Sequence, residues 1–114
     1  MKTYEFNGSG ICVNPDAVEV RVRGGLARAL TARQPDGAWV CGVEVRLGGL
    51  DLRVPPSASS MRAYADRDRA LLGALAWAVR TLRQKGPFPD PGAAARLETE
   101  IRTRYDLIAQ LTLF

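Results

Sequence analysis

Histidine is absent from this sequence of 114 residues, and its absence removes the side chain that most often serves as general base and as zinc ligand. Cysteine is scarce: Cys12 and Cys41 are too few for a disulfide framework, and their spacing is not that of a metal site. Both lie in apolar, strand-like segments, so we expect buried free thiols. The sequence thus predicts neither a metal site nor a bound cofactor.

Long apolar runs are also missing. No stretch approaches the roughly 18 to 20 residues that a membrane-spanning helix needs, and residues 1–5 lack the apolar character of a secretory signal. We therefore expect a cytoplasmic protein with no membrane partner. The hydrophobic fraction of 46% and the charged fraction of 25% are typical of a globular chain, so we expect a single domain over residues 1–114.

Lysine is rare as well. Lys2 and Lys85 are the only lysines among 16 basic residues, so arginine supplies most of the positive charge behind a net charge of +4. Arginine offers a forked set of donors that suits carboxylates and phosphates. The net charge is +1 over residues 1–60 and +3 over residues 61–114, so the second half of the chain is the more basic one.

The first half of the chain alternates apolar and charged residues. Valines alternate with charges over residues 17–23, and a period of two returns over residues 39–47 and 50–54. The turn signals between these runs are too short to hold crossover helices, so neighbouring strands should pair antiparallel. The pattern predicts a meander of four or five strands within residues 1–54. Residues 26–33 fit either a strand or two helical turns.

The hydrophobic period changes to about 3.6 beyond Pro55 and Pro56. This period predicts helix one over residues 61–85 and helix two over residues 90–110, with Asp90 as N-cap and Pro91 in the first helical position. Residues 109–114 fit a frayed end, a longer helix or a short edge strand. The predicted fold class is therefore α+β: an antiparallel sheet followed by two helices packed on one of its faces.

The two predicted helices carry distinct faces. A broad apolar stripe on helix one is expected to lie on the sheet, and its opposite flank, with small residues around one tryptophan, suits the close approach of helix two. The stripe consists of Leu71, Leu72, Leu75, Val79 and Leu82, the flank of Ala70, Gly73, Ala74, Trp77 and Thr81, and the apolar stripe of helix two of Ala94, Leu97, Ile101, Tyr105 and Ile108.

No combination of residues indicates catalysis. Ser57, Ser59 and Ser60 have no histidine to act as their base, so we expect them in a loop, with Ser60 near the start of helix one as a cap. Asp66 and Asp68 form a pair of carboxylates, but acidic residues at the beginning of a helix interact favourably with its dipole, which indicates a capping role. We therefore expect that the protein is not an enzyme.

Charges of both signs occupy the outward positions of the predicted strands. Opposite charges on neighbouring strands can pair, so a solvated ionic face is the expected structure. Phosphate contact is the alternative, but sheets that read RNA carry exposed aromatic rings between their basic residues, and this face has none. The outward positions are Glu19, Arg21, Arg23, Glu44, Arg46, Asp51 and Arg53.

Four short motifs lie within residues 36–83: Asp36-Gly37-Ala38-Trp39, Gly42, Pro55-Pro56-Ser57, and Tyr64-Ala65-Asp66-Arg67 ahead of an alanine-rich helix. In this order the sequence resembles small accessory proteins of phages and plasmids, a mixed group that includes anti-CRISPR and anti-restriction inhibitors. The resemblance implies a non-catalytic protein that acts by binding, such as an inhibitor of a host defence or nucleic-acid-handling complex. It implies no role for any particular residue.

The candidate partner-binding residues are Trp77, Arg80 and Arg83, which follow one another at intervals of three on helix one. Together they could combine a forked ionic contact with an aromatic anchor. The expected partner is an acidic protein surface or a nucleoprotein complex. Direct binding of DNA or RNA, as by a small transcriptional regulator, is the alternative.

A purely structural interpretation competes with both: Trp77 packs beneath helix two, and the arginines complement the helix dipole. The oligomeric state stays open.

Overall fold

Four strands in the first half of the chain pair into one antiparallel sheet in the computed structural model, which describes residues 2–58 and 62–112. The strands are β1 (Asp16–Val22), β2 (Gly25–Arg33), β3 (Trp39–Leu47) and β4 (Leu50–Val54), and each lies beside its neighbour in the chain. Two of the turns need glycine, because Gly24 and Gly49 have φ angles of 88°. With two helices following the sheet, the predicted α+β fold class is confirmed.

The segment that fitted both a strand and a helix is strand β2. Its pairing with β3 places Ala27, Ala29 and Thr31 opposite Val45, Val43 and Cys41. All three residues of β2 are buried, and the two alanines belong to the main core. The helical alternative for residues 26–33 is therefore wrong, because these residues pair with β1 on one side and with β3 on the other.

Two helices follow: α1 (Arg67–Lys85) and α2 (Pro91–Thr112). Helix α1 begins six residues later than predicted, because the backbone of Tyr64 pairs with that of Trp39 and is therefore not helical. The N-cap of α1 is Asp66, whose carboxylate accepts a 2.8 Å hydrogen bond from the backbone N–H of Arg69. The predicted start at residue 61 and the predicted cap Ser60 lie outside the described residues. In the described parts of the chain, neither helix combines the length and the apolarity required to span a membrane.

Helix α2 begins as predicted. The Asp90 carboxylate accepts a 3.0 Å hydrogen bond from the backbone N–H of Ala93, and Pro91 is the first helical residue. The helix continues through residue 112, so residues 109–112 extend it and form neither a frayed end nor a strand. Residues 113 and 114 lie outside the described part.

Both helices pack on the same face of the sheet. Helix α1 lies over β2 and β3, and α2 lies over β1 and β2. The predicted stripe of α1 provides four of its buried side chains, whereas Val79 is only partly buried. Helix α2 contributes mainly Leu97 and Ile101, each with an exposed fraction of 0%. These residues form the main core between sheet and helices.

A second, smaller core lies on the opposite face of the sheet and was not predicted. Residues 2–14, here called the N-terminal segment, cover Ala32 and Val40, whose side chains point away from the helices. Cys12 is buried there and its backbone N–H donates to the carbonyl of Pro56 across 2.9 Å. The segment is also tied to β1, because Tyr4 and Lys2 both donate to the carboxylate of Asp16.

The rest of that opposite face is ionic, as expected from its alternating charges. One row of side chains crosses all four strands in the register Glu19, Arg28, Glu44 and Arg53. Glu44 differs from the expectation, because it is only 3% exposed. Its burial is explained by the guanidinium groups around it, which approach its carboxylate to 3.1 Å (Arg28), 2.8 Å (Arg46) and 3.5 Å (Arg53).

Candidate functional site

An open groove of about 640 Å³ lies on helix α1. Four parts of the fold contribute to it: strand β3, the segment that leads into α1, α1 itself and the second half of α2. We call it the α1 groove. Its lining residues are Cys41, Arg62, Tyr64, Arg69, Leu72, Gly73, Ala76, Trp77, Arg80 and Tyr105.

Tyr64 is held in the groove by its backbone and by its ring. Its N–H donates to the carbonyl of Trp39 across 2.7 Å, and its carbonyl accepts from the N–H of Trp39 across 2.9 Å. These bonds add one residue pair to the sheet and hold the backbone of Tyr64 beside β3. The ring then reaches α1 at Gly73, where the methyl group of an alanine in place of the glycine would overlap the Tyr64 hydroxyl. Glycine inside this helix therefore marks a close approach.

The Tyr64 hydroxyl meets the thiol of Cys41 below it. Burial raises the pKa of Cys41, and a hydrogen bond with Tyr64 offsets only part of that shift. Burial likewise raises the pKa of Tyr64. Both groups therefore keep their protons at neutral pH. A protonated, buried thiol is a poor nucleophile, so Cys41 forms part of the floor of the groove and not a reactive centre.

Three arginines give the groove its charge. Arg62 stands over the ring of Tyr64, with 5.5 Å between its guanidinium carbon and the ring centroid. Arg69 is ion-paired with the N-cap carboxylate of Asp66. Arg80 is exposed and has no carboxylate partner among residues 2–58 and 62–112. The described lining of the groove contains no acidic residue, so Asp66 outside it balances the charge of Arg69 while the charges of Arg62 and Arg80 have no described carboxylate partner.

Trp77 and Tyr105 bring two more aromatic rings to the groove. Both are partly buried and pack against the main core. Part of the Trp77 indole is therefore in the main core, and the rest lines the groove beside Tyr105 of α2. Ala76 of α1 also lines the groove, and its small side chain takes up little of the space there.

The three predicted partner-binding residues do not share one surface. Trp77 and Arg80 line the α1 groove, whereas Arg83 is not among its described lining residues. The Arg83 guanidinium instead pairs with Glu98 of α2 across 3.2 Å, and Arg102 approaches the same carboxylate to 3.2 Å. The hydrogen bond from Arg83 lowers the pKa of Glu98, which keeps this pair charged. Arg83 thus joins the two helices.

Sequence reasoning missed four contributors to the groove. Arg62, Tyr64 and Arg69 lie within the range predicted for helix one but were not selected as binding residues, and Tyr105 was assigned to the apolar stripe of helix two. The signal that could have located Tyr64 is Gly73, because an isolated glycine inside a helix often marks a close contact. The position of Tyr105 depends on the rotation of α2 on the sheet, which no sequence pattern reports.

A second depression of about 400 Å³ lies between β1 and α2. Its lining contains Glu100 as well as Arg21 and Arg96, and the described residues bring no aromatic ring to it. It therefore lacks the uncompensated charge and the rings that distinguish the α1 groove.

The predicted capping role of Asp66 is present in the structure, where the backbone N–H of Arg69 lowers the pKa of its carboxyl.

Comparisons with protein-family models, with curated proteins and with solved structures give no match for this chain. Its function is therefore inferred from the chemistry of the α1 groove.

Proposed function

We propose that this protein acts by binding and not by catalysis, and that the α1 groove takes up an acidic part of its partner. The observation that carries the proposal is the composition of the groove: three arginines and three aromatic rings, with no carboxylate in the described lining. Tryptophan, tyrosine and arginine are the residue types most enriched among the residues that dominate binding energy. Their presence around one groove makes it the best-suited binding surface in the described structure.

Arg80 is the arginine best placed to meet a ligand. Because no described carboxylate pairs with it, a ligand can bind it without first breaking an intramolecular ion pair. Arg69 is already held by Asp66, and Arg62 rests on Tyr64. Arg62 thus supplies positive charge at a fixed position and the charge of Arg69 is balanced by Asp66, while Arg80 can offer its forked donors to a carboxylate or a phosphate.

In biological terms, we propose a small inhibitor of the kind carried by phages and plasmids, acting in the cytoplasm on a host defence or nucleic-acid-handling complex. The sequence motifs around residues 36–83 support this role by their resemblance to such inhibitors. The basic groove supports it chemically, since the surfaces of these complexes include acidic proteins and nucleic acid. The inhibitor would act by covering a site on the complex.

Direct binding of nucleic acid is the second candidate function, and a specific observation favours it. The aromatic rings that the sheet face lacks are found in the α1 groove, where they alternate with arginines. Rings interleaved with basic groups are what proteins use to bind single strands. The function would then be that of a DNA- or RNA-binding protein or a small regulator.

The test compares two polyanions, fluorescently labelled decaglutamate and single-stranded decathymidylate, whose binding to the purified protein is measured by anisotropy at several salt concentrations. We expect Arg80→Glu to weaken binding of at least one probe by about tenfold or more. Arg83→Glu is the matched control, because it makes the same change of charge three residues away on the same helix but outside the groove.

Thermal melts of both variants are recorded alongside, since Arg83→Glu also breaks the pair with Glu98. Equal losses in the two variants would show that only net charge matters, and the groove would no longer be the site. Absence of binding by both probes at low salt would overturn the proposed function.

A further inference from the structure

We propose that the ligand of the α1 groove is a nucleotide unit of a single-stranded nucleic acid, with its base stacked on Trp77 and its phosphate bound by Arg80. This assignment rests on the proposed function above and names the chemistry of the acidic partner. It follows from the size of the groove, from the rings that line it and from the spacing of its arginines.

The size of the groove suits one or two small planar groups. Its volume of about 640 Å³ lies within the range of about 300 to 1,000 Å³ typical of sites that enclose small molecules. A protein partner would need a contact area of about 800 Å² on this chain, most of it outside the groove. The groove alone is therefore too small to be the whole interface with a protein partner, whereas it can accommodate a single unstacked base.

The rings favour a base over a carboxylate side chain. Arg62 already lies over the ring of Tyr64, and the hydroxyl of that ring is against α1. Trp77 and Tyr105 are the partly exposed rings that remain for a ligand. Stacking on such rings is available to every base, because every base has a flat aromatic face. Glutamate and aspartate side chains have no such face, so an acidic peptide would leave both rings unused.

The arginines are spaced along the helix as a strand would require. Arg80 follows Trp77 by three residues, so the two side chains are neighbours on α1, as a base and its own phosphate are neighbours in a strand. Arg69 precedes Arg80 by eleven residues, which corresponds to about 16 Å along the helix axis. A strand bound at Arg80 is long enough to reach Arg69 and replace its contact with Asp66 by a phosphate, which a single free nucleotide is too short to do.

The ionic face of the sheet does not compete for this ligand. Its arginines Arg28, Arg46 and Arg53 surround Glu44, and the row that they form has no aromatic member in the described structure. A phosphate would have to displace that buried carboxylate from its partners. The α1 groove requires no such displacement at Arg80.

The experiment measures the affinity of four probes by fluorescence anisotropy or by competition: decathymidylate, an abasic decamer with the same sugar-phosphate backbone, decaglutamate and thymidine monophosphate. We expect decathymidylate to bind at least about tenfold more tightly than the abasic decamer, because stacking is lost without bases. We also expect the logarithm of its affinity to fall linearly with the logarithm of the salt concentration, with a slope of about −1.4, because Arg62 and Arg80 are the two groove arginines that Asp66 does not already pair. Arg80→Glu should reduce the magnitude of that slope by about 0.7, and Arg83→Glu should not.

Trp77→Leu should weaken the binding of decathymidylate by about tenfold or more, and by a larger factor than it weakens the binding of decaglutamate. Because Trp77 also packs against the core, Trp77→Phe serves as the second variant: it keeps a ring and should retain most of the affinity. The comparison of decathymidylate with the abasic decamer uses the unaltered protein. This part of the test therefore does not depend on whether the two Trp77 variants fold.

Three results would overturn the assignment. If decaglutamate and the abasic decamer bind as tightly as decathymidylate and still depend on Arg80, the groove binds acidic partners as proposed but does not recognise a base. If thymidine monophosphate binds as tightly as the decamer, the source is a free nucleotide and not a strand. If no probe depends on Arg80, both this assignment and the proposed function fail.

Discussion

Gly73 is the residue on which the shape of the α1 groove depends most directly. It lies within helix α1, where glycine is normally unfavourable, and it leaves the space that the Tyr64 hydroxyl occupies. The tyrosine in turn covers Cys41 and is fixed by its backbone bonds to Trp39. A glycine that costs helix stability is thus explained by a contact that builds one wall of the groove.

The sign of the effect of Gly73→Ala tests this explanation. In an exposed helix the substitution would stabilise the protein by about 1 kcal/mol, because alanine is the better helix former. Here we expect it to destabilise the protein by about 1 to 3 kcal/mol in urea unfolding, since the methyl group overlaps Tyr64. Gly48→Ala is the control, because a methyl group there meets nothing within 4 Å. Stabilisation by Gly73→Ala would show that Tyr64 does not pack as described.

At the residue scale, the sequence located part of the groove. Trp77 and Arg80 were selected from their spacing on one helix, and a helix keeps that spacing whatever it packs against. Arg83 was grouped with them, but its partner Glu98 is on the other helix. The sequence of one helix does not tell how a second helix is rotated beside it, so this ion pair could not be predicted. Glu44 was expected to be exposed for a related reason, because Arg28 and Arg53, which cover it together with Arg46 of its own strand, lie on the two neighbouring strands.

Among the elements, helix α1 is the one that joins the sheet to the groove. Its apolar side is buried over β2 and β3, and its other side carries Trp77 and Arg80. The period of the leucines predicted this division, because a single apolar stripe on a helix must face a core. The start of the helix was predicted six residues too early, since nothing in the sequence shows that Tyr64 would add to the edge of β3.

Leu75 tests the buried side of α1. Its exposed fraction is 1%, so we expect Leu75→Ala to lower the free energy of unfolding by about 2 to 5 kcal/mol. Leu111→Ala is the matched control on α2, because Leu111 is 86% exposed and loses almost no contact. Chemical denaturation of the two variants measures both effects. A loss below about 0.5 kcal/mol for Leu75→Ala would mean that this side of α1 does not face the sheet.

The N-terminal segment is an element that the sequence did not reveal. Its residues show no regular period, and it adopts only short bridges, at Phe6 with Cys12 and at Ile11 with Ser57. The contact between Tyr4 and Asp16 is one of its attachments to the sheet. Burial and the hydrogen bond to Asp16 raise the pKa of Tyr4 to about 12. Burial alone would raise the pKa of Asp16, but the bonds from Tyr4 and Lys2 outweigh it and lower that pKa.

These shifts predict how the segment responds to alkaline pH. A raised pKa in the folded state means that the stability contributed by protonated Tyr4 is complete below the ordinary value of 10 and is lost as the pH rises through about 12. We therefore expect the free energy of unfolding to fall over this interval. Tyr4→Phe should remove that dependence. Tyrosinate absorbance followed against pH gives the titration directly, and a Tyr4 that titrates near 10 would contradict the described contact.

On the scale of the whole molecule, the sheet separates two cores of unequal size. The main core contains Cys41 and the side chains of both helices, whereas the smaller one contains Cys12 beneath the N-terminal segment. Both cysteines are free and buried, as the sequence analysis expected. The larger core follows from hydrophobic periodicity, which is why it could be predicted. The smaller one depends on an irregular segment folding back over the sheet, and irregular segments carry no period.

The two thiols can report on the two cores separately. We expect both to react slowly with iodoacetamide in the native protein, and Cys12 to become reactive at a lower urea concentration than Cys41. The smaller core has fewer apolar contacts to lose, and regions of this kind open before the protein unfolds as a whole. Mass spectrometry of the labelled peptides measures each site. Identical urea midpoints for the two cysteines would show that the N-terminal segment and the main core unfold as one unit.

The order of the strands also has a consequence for how fast the chain assembles. Each strand pairs with the one that precedes or follows it, across connections of two residues (23–24), five residues (34–38) and two residues (48–49). Closing short loops costs little chain entropy, and proteins whose contacts are mostly local reach the native state quickly. The pairing of Tyr64 with Trp39 spans a much longer loop and needs β3 as its template. We therefore expect the meander to form first, so that a nascent chain has no functional groove until its sheet is complete.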